Sequence, residues 1–210
     1  MKHTPILLAT TNSAKQYKLR WLLEGLPLSL ATPDDLGLTG QVPDEDGNTH
    51  LENARLKAEW WSRAGAMPAI SSDGGLVVPA LGRTWNSLYT HRAAGDHSDD
   101  QARLEHLLRL MRPYKGNDRR ASWVEALAVA DGGRVTGSWE VEGANGHLLD
   151  TPGPGPIVPG FWVFSIWYFP HLKKTYNELT EAEMEGLNDH WNQLRSHVQQ
   201  FFHGDLRTAE

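Results

Sequence analysis

The 210-residue chain contains no cysteine. That excludes a disulfide framework, a Cys-ligated zinc or iron–sulfur centre and thiol catalysis. It is compatible with a reducing cytoplasm, the expected location. A basic surplus is also missing: 20 Lys and Arg against 26 Asp and Glu leave a net charge of −6. Proteins that coat duplex nucleic acid carry the opposite balance, because they displace counterions from phosphates. A polymeric nucleic acid partner is therefore not expected, whereas a small anion held by a few local cations stays open. No apolar run approaches the roughly 20 residues of a membrane helix, so no membrane association is expected. The N-terminal patch Ile6–Ala9 runs straight into polar Thr10-Thr11-Asn12, which reads as a first strand and not as a signal peptide. Neither the Walker glycines nor G-x-G-x-x-G is present, and the ten histidines show no H-E-x-x-H spacing.

What is present is an ordinary globular composition, 40% hydrophobic and 22% charged, long enough for one domain over residues 1–210 with no separable lobes in the sequence. Ile6–Ala9 reads as a buried strand and Ser13–Leu23 as a helix ended by Gly25. Leu28–Ala31 is a short strand, and 33–48 an acidic loop. Thr49–Ala64 is a helix opened by a Thr49/Glu52 capping box. Strand pieces at 69–72 and 76–80 flank Ser72-Asp73-Gly74-Gly75, and Ser98–Met111 is an amphipathic helix. A hairpin spans 122–142 around Asp131-Gly132-Gly133. A Gly/Pro-rich stretch (143–160), a strand (161–168) and a C-terminal helix (180–202, with a Thr180/Glu183 capping box) follow. The order predicts a mixed α/β fold. Among the nine tryptophans, adjacent Trp60 and Trp61 cannot share a helix face, so one is expected to be exposed or at an interface.

Several segments have chemistry to offer. Thr10-Thr11-Asn12-Ser13-Ala14-Lys15 joins a strand end to a helix start, where free amides and a first-turn lysine suit a phosphate chain; an ordinary capped turn has the same look. Glu45, Glu52 and Asp73 are carboxylates of the kind that hold Mg²⁺. Glu52 is first a capping residue, and Asp73, beside glycines, is either a turn-former or a metal-linked base. Lys57 lies about 500° around the helix from Glu52 and so is expected to face solvent unless a ligand recruits it. Arg119-Arg120 reads as a solvated flank.

Taken together these segments resemble the inosine triphosphate pyrophosphatase (Ham1/RdgB-like) family. Thr10–Lys15 resembles its T-G-N-x-x-K, and Glu52-Asn53-Ala54-Arg55-Leu56-Lys57 its E-N-A-x-x-K. Ser72–Gly82 resembles D-D-S-G-L-x-V-x-A-L-G, Tyr89–Gly95 is similar to Y-S-A-R-Y-A-G, and Lys174–Thr180 to K-T-F-A-E-L-S. The resemblance implies an elongated mixed β-sheet flanked by helices, with two lobes and a cleft between them. It implies hydrolysis of nucleoside triphosphates to monophosphate and pyrophosphate, Mg²⁺ as cofactor, and a homodimer. Carried over, Thr10, Thr11, Asn12 and Lys15 grip phosphates, with Gly74 beside them. Lys57 and Arg92 add positive charge. Glu45 and Asp73 hold Mg²⁺, and Asp73 orients or deprotonates the attacking water.

The departures fall at both ends of the site. Thr11 replaces the family glycine, Lys18 stands where Glu is common, and Ser72 and Gly74 replace Asp and Ser. The base-binding F-G-Y-D-P aligns with Phe161–Ser165: Phe161 remains to stack on the base, but Phe164 takes the Asp position. K-N-R-x-S-H-R aligns with Met184–His190, losing the Lys and the His-Arg pair unless a one-residue shift makes His190 the histidine; Lys173 or Lys174 would then stand in for the lost lysine. Two readings follow. One is a working pyrophosphohydrolase with an altered, more apolar base pocket; the other is a weak or inactive nucleotide-binding or scaffold protein.

Overall fold

The structure, a computed structural model, describes residues 3–38, 40, 43–95 and 97–208. The strands are β1 (Thr4–Leu8), β2 (Leu28–Ala31), β3 (Ala69–Val77), β4 (Arg120–Asp131), β5 (Arg134–Glu142), β6 (Gly146–Leu148), β7 (Trp167–Phe169) and β8 (Lys174–Thr175). They form a mixed sheet in the order β2-β1-β3-β4-β6-β7-β8, with β5 paired to β4. The helices are α1 (Ser13–Leu23), α2 (His50–Ala64), α3 (Asp100–Met111), α4 (Glu181–Gly186) and α5 (His190–Thr208). This is the mixed α/β architecture that the element order predicted. No helix among the described residues is long and apolar enough to cross a membrane.

The chain divides into two compact units. The first comprises Met1–Asp73, Glu125–Val141 and Trp191–Glu210. In it β1 pairs in parallel with β2 (Thr4 opposite Leu28) and with β3 (Leu7 opposite Ala69). Strand alternation sends Ile6 and Leu8 into a core with Leu19 and Leu22 of α1 and Leu194 and Val198 of α5. Leu7 goes the other way, to Trp61 and Ala69. Ala54 and Ala58 of α2 meet Ala126, Ala128 and Ala130 of β4; methyl-sized side chains on both partners let the helix lie close on the strand.

The second unit comprises Gly74–Val124 and Glu142–His190. Its strands β6, β7 and β8 are antiparallel, and its core joins Leu104, Leu107 and Met111 of α3 to Trp123, Phe164, Trp167 and Phe169. Arg119, expected on a solvated flank, is 7% exposed instead. It donates to the carbonyls of Met111 (2.9 Å), Leu149 (2.8 Å) and Leu148 (2.5 Å), so the buried guanidinium is satisfied by backbone oxygens.

Three further expectations are corrected. Ser72–Gly75 is not a turn: β3 runs through it, buried from Ala69 to Leu76. Gly75 is there because the Ser87 carbonyl oxygen would lie 2.0 Å from a Cβ at that position. Residues 162–165 form a 3-10 turn and not a strand, which buries Trp162, Val163, Phe164 and Ser165 together, where a one-sided strand would expose every second one. The C-terminal helix is broken into α4 and α5 because Asn188 adopts a left-handed φ of 46°, which no α-helix interior accommodates. Two features read from the sequence are present: the β4–β5 pairing and the reciprocal Thr180/Glu183 box.

Candidate functional site: two carboxylates on one buried lysine

The first unit builds its site on the inner face of α2. Thr49 caps the helix by accepting from Glu52 N. The buried stripe reads His50, Asn53, Ala54, Lys57, Ala58, Trp61, polar at the N-terminal end and apolar at the other. The polar end lies against β3. Ser71 Oγ donates to the Ala54 carbonyl, and Asp73, two residues on and therefore on the same strand face, meets His50 and Lys57.

Lys57 does not face solvent. It is 7% exposed, with Nζ 2.8 Å from Asp73 Oδ1 and 3.0 Å from Glu45 Oε1. Measuring from Glu52 chose the wrong neighbour. His50 and Asn53, seven and four positions before Lys57, lie within about 40° of it on the helix wheel. The acidic loop that brings Glu45 is tied to α2 by two motif side chains. Asn53 Oδ1 accepts from Gly47 N at 2.9 Å, and Glu52 Oε2 accepts from Asn48 N at 2.6 Å. Glu52 thus reaches one residue beyond the Thr49 amide that a capping box requires, and it positions the loop.

Asp73 is the electrostatic focus. Burial opposes its ionisation, but a hydrogen bond from His50 and the charges of Lys57 and Lys15 outweigh burial and hold the carboxyl well below the ordinary range. Lys57 is the mirror image: burial works against the ammonium, Asp73 and Glu45 work for it, and the balance raises its pKa. At neutral pH Asp73 is a carboxylate and Lys57 an ammonium. An ionised Asp73 only accepts, so the 2.7 Å contact is His50 Nδ1–H donating to Oδ2.

The Thr10–Lys15 turn is capped from within. Asn12 Oδ1 accepts from Ala14 N (2.9 Å) and Lys15 N (3.2 Å), and Thr10 Oγ1 accepts from Asn12 N. Two first-turn amides are therefore already engaged, and Lys15 supplies the segment's charge; its Nζ lies 3.5 Å from the Ser72 carbonyl. Thr11 is exposed at the tip.

The remaining sequence-predicted residues belong to the second unit. Gly74 continues β3 beyond Asp73 and is buried. The Arg92 guanidinium sits 5.8 Å from the Tyr89 ring centroid. Phe161 is half-buried, stacked on Phe164 at 5.1 Å and 9°. Phe164 in turn contacts Trp123, Trp167, Tyr176 and His190. His190 is 0% exposed, stacked against Trp123 and Tyr176, while Asp189 accepts from the Tyr176 hydroxyl. Lys174, a candidate to replace the family lysine, is bound to Glu183 at 2.7 Å.

The structure thus brings Glu45, Lys57 and Asp73 together with Lys15 near, and separately brings Phe161 and His190 onto one Phe164 ring. His50 was missed in the sequence. Its signal was a polar residue one position after an N-cap, on the same helix face as Lys57.

A family-wide sequence profile described as the Ham1 family matches residues 6–194. The chain belongs to the Ham1 family. Ham1 relatives include a dITP/XTP pyrophosphatase of Thermus thermophilus, 34% identical over 202 residues, covering 95% of this chain and 92% of that protein. The dITP/XTP pyrophosphatase of Escherichia coli is 31% identical over 197 residues, covering 90% and 94%. Among solved structures the Staphylococcus aureus Ham1 protein superposes with a TM-score of 0.77 at 27% identity, covering 96% of this chain and all of that one. A HAM1 protein from Coxiella burnetii has the same fold, with a TM-score of 0.77 at 24% identity.

Among the described residues no cluster of three or more His, Cys, Asp or Glu forms a metal cage. Mg²⁺ needs no cage: it keeps its waters and takes one or two carboxylates plus substrate phosphates. Glu45 and Asp73, hard oxygen donors already converging on one cationic group, fit such an ion.

Proposed function

We propose that this Ham1 protein is a nucleoside-triphosphate diphosphatase. It hydrolyses a nucleoside triphosphate to the monophosphate and pyrophosphate: water oxygen bonds to the α-phosphorus, the bond from that phosphorus to the α–β bridging oxygen breaks, and pyrophosphate leaves. The observation that carries the reading is the Asp73–Lys57–Glu45 cluster on a buried lysine, in a chain that aligns over most of its length with dITP/XTP pyrophosphatases. The non-hydrolytic alternative is not favoured.

In this reading Glu45 and Asp73 hold Mg²⁺, which when bound neutralises phosphate charge and orients the triphosphate. Lys15 and Lys57 add positive charge along the phosphates, with Thr10, Thr11 and Asn12 shaping the turn around them; Arg92 is a further candidate cation. Phosphoryl transfer is mainly positioning and charge neutralisation. Asp73 is suited to positioning, because a carboxylate held ionised orients the attacking water by a lone pair and is poorly disposed to store a proton. Phe161 offers its ring to the base. His190, stacked inside the aromatic cluster, supports that end by packing. With Phe164 at the family's Asp position, the base slot is more aromatic and discriminates less sharply than one built on hydrogen bonds, so base preference is broader than inosine and xanthosine. A homodimer, a cytoplasmic location and the absence of polymeric nucleic acid or membrane partners complete the proposal.

The test is pyrophosphate release with Mg²⁺ across ribo- and deoxynucleoside triphosphates, including inosine, xanthosine, the standard bases and modified pyrimidines. Turnover that Asp73→Ala abolishes is expected. Equal turnover by Asp73→Ala, or nucleotide binding with no turnover on any triphosphate, overturns the proposal. Sedimentation at about twice 23.5 kDa checks the dimer.

A further inference from the structure

Asp73 has two oxygens and, in this chain, two different holders. Lys57 Nζ takes Oδ1 at 2.8 Å, and His50 Nδ1 takes Oδ2 at 2.7 Å. The two contacts are not equivalent. Lys57 is a flexible point charge that also serves Glu45 at 3.0 Å, whereas His50 is a ring on the first turn of α2, 5% exposed and fixed by a capped helix start. A buried imidazole at the head of a helix carries a desolvation cost, which the hydrogen bond to a charged carboxylate offsets.

We propose that His50 is a positioning residue that, by gripping Oδ2, fixes the plane of the Asp73 carboxylate and dedicates Oδ1 to the cation and the attacking water. This rests on the reading of Asp73 as the residue that holds the metal and orients the water. The outer partner here is an imidazole acting on a carboxylate ligand, and losing such a partner lowers metal affinity or activity by roughly 10–100-fold. Neither a covalent step nor a substrate contact is assigned to His50.

The chemistry of the side chains makes the idea testable without relying on one variant. In asparagine the amide nitrogen hangs from Cγ, as Nδ1 does in histidine; in glutamine it lies one carbon further out. His50→Asn is therefore expected to keep the grip, His50→Gln to lose it, and His50→Phe to keep the ring while losing the donor. Two readouts apply: steady-state pyrophosphate release at saturating nucleotide, and free Mn²⁺ measured by electron paramagnetic resonance during titration of the full-length protein with a non-hydrolysable triphosphate present. His50→Phe and His50→Gln are expected to lose roughly tenfold or more in turnover number or Mn²⁺ affinity. Nucleotide KM at saturating metal stays within about threefold of wild type, since the base and phosphate contacts are untouched. His50→Asn is expected within about threefold of wild type in both readouts. If His50→Phe does not fold by circular dichroism, the Asn/Gln pair decides.

The proposal is overturned if His50→Phe and His50→Gln match wild type in both readouts, or if His50→Asn falls as far as His50→Gln. Asp73→Ala separates the two levels. Asp73→Ala inactive with His50→Gln unchanged removes only the role of His50. Asp73→Ala as active as wild type removes the underlying reading of Asp73.

Discussion

Replacing Lys57 by methionine isolates the energetics of the carboxylate pair, because the stem and its packing remain and only the ammonium goes. At 2.8 and 3.0 Å from Asp73 and Glu45, each gross attraction is about 6 kcal/mol at an effective dielectric of 20. Most of that is cancelled by the cost of burying the charges, so the gross figures do not set the mutant's stability. Removing one partner of a buried pair costs about 3–5 kcal/mol, because the other charge is left uncompensated. Glu45, with 29% of its side chain exposed, can turn to water, while Asp73 at 11% cannot. The penalty therefore falls on Asp73, partly relieved by His50, and the lower end, about 3 kcal/mol, is expected. For a chain of this length that is roughly 6–12 °C in Tm.

Urea unfolding at pH 7 measures the loss. The pH dependence gives a second, signed test. In the wild type the depressed Asp73 pKa contributes stability that is present above the unfolded value, about 3.9, and is lost only as pH falls through the much lower folded value. Without Lys57 the folded pKa rises, so the acid limb of stability moves to higher pH. On the alkaline side the raised Lys57 contributes stability up to its unfolded pKa, and that contribution fades as pH climbs through the folded value; the variant lacks this limb. Lys57→Met/Asp73→Asn, which removes both charges, is expected to recover most of the loss. Lys57→Met within about 1 kcal/mol of wild type, with an unshifted acid limb, would show that water screens the cluster and would refute the reasoning.

Three other perturbations probe the second unit. Phe164→Asp, the residue that the resemblance to the family implies there, buries a carboxylate among Trp123, Trp167 and Tyr176 at a position 3% exposed; a loss of about 4 kcal/mol in urea unfolding is expected, and a wild-type midpoint would contradict it. Gly75→Ala drives a Cβ to 2.0 Å from the Ser87 carbonyl, so roughly 3 kcal/mol of destabilisation is expected, with protease cleavage appearing near 87–92. Arg119→Met strips donors from the Met111, Leu148 and Leu149 carbonyls; about 3 kcal/mol is expected in thermal or urea melts, and a change under 0.5 kcal/mol would mean that water replaces the guanidinium.

The elements with strong local signals were legible in the sequence. Ser13–Leu23 is capped by Asn12 as its residues suggest, and the Thr180/Glu183 box is reciprocal. What failed were inferences from composition where a tertiary contact decides. Ser-Ser-Asp-Gly-Gly has turn composition, yet it is a strand because Ser71 is bonded to α2 and Gly75 is pressed by the Ser87 carbonyl. Arg119 has the charge of a surface residue, yet four backbone carbonyls from two separate stretches of the chain claim it. The role of Lys57 required knowing that β3 lies beneath α2, which no helix wheel contains.

The same distinction separates the ionic cluster of the first unit from the aromatic cluster of the second. In the ionic cluster each group answers to more than one partner: Lys57 to Asp73 and Glu45, Asp73 to Lys57 and His50. Changing one member strands a buried charge, so drift there is opposed by folding as well as by catalysis. At the other end, the rings of Phe161, Phe164, Trp123, Trp167, Tyr176 and His190 satisfy one another by stacking and edge contacts. Such contacts contribute only about 0.5–1.5 kcal/mol per pair beyond area burial, and one ring can replace another at modest cost. Phe164 is packed on several of these rings, and a carboxylate in its place would cost more than keeping the ring. Base selectivity is accordingly the property expected to have moved furthest, and the ionic grip on the phosphates the one expected to have moved least.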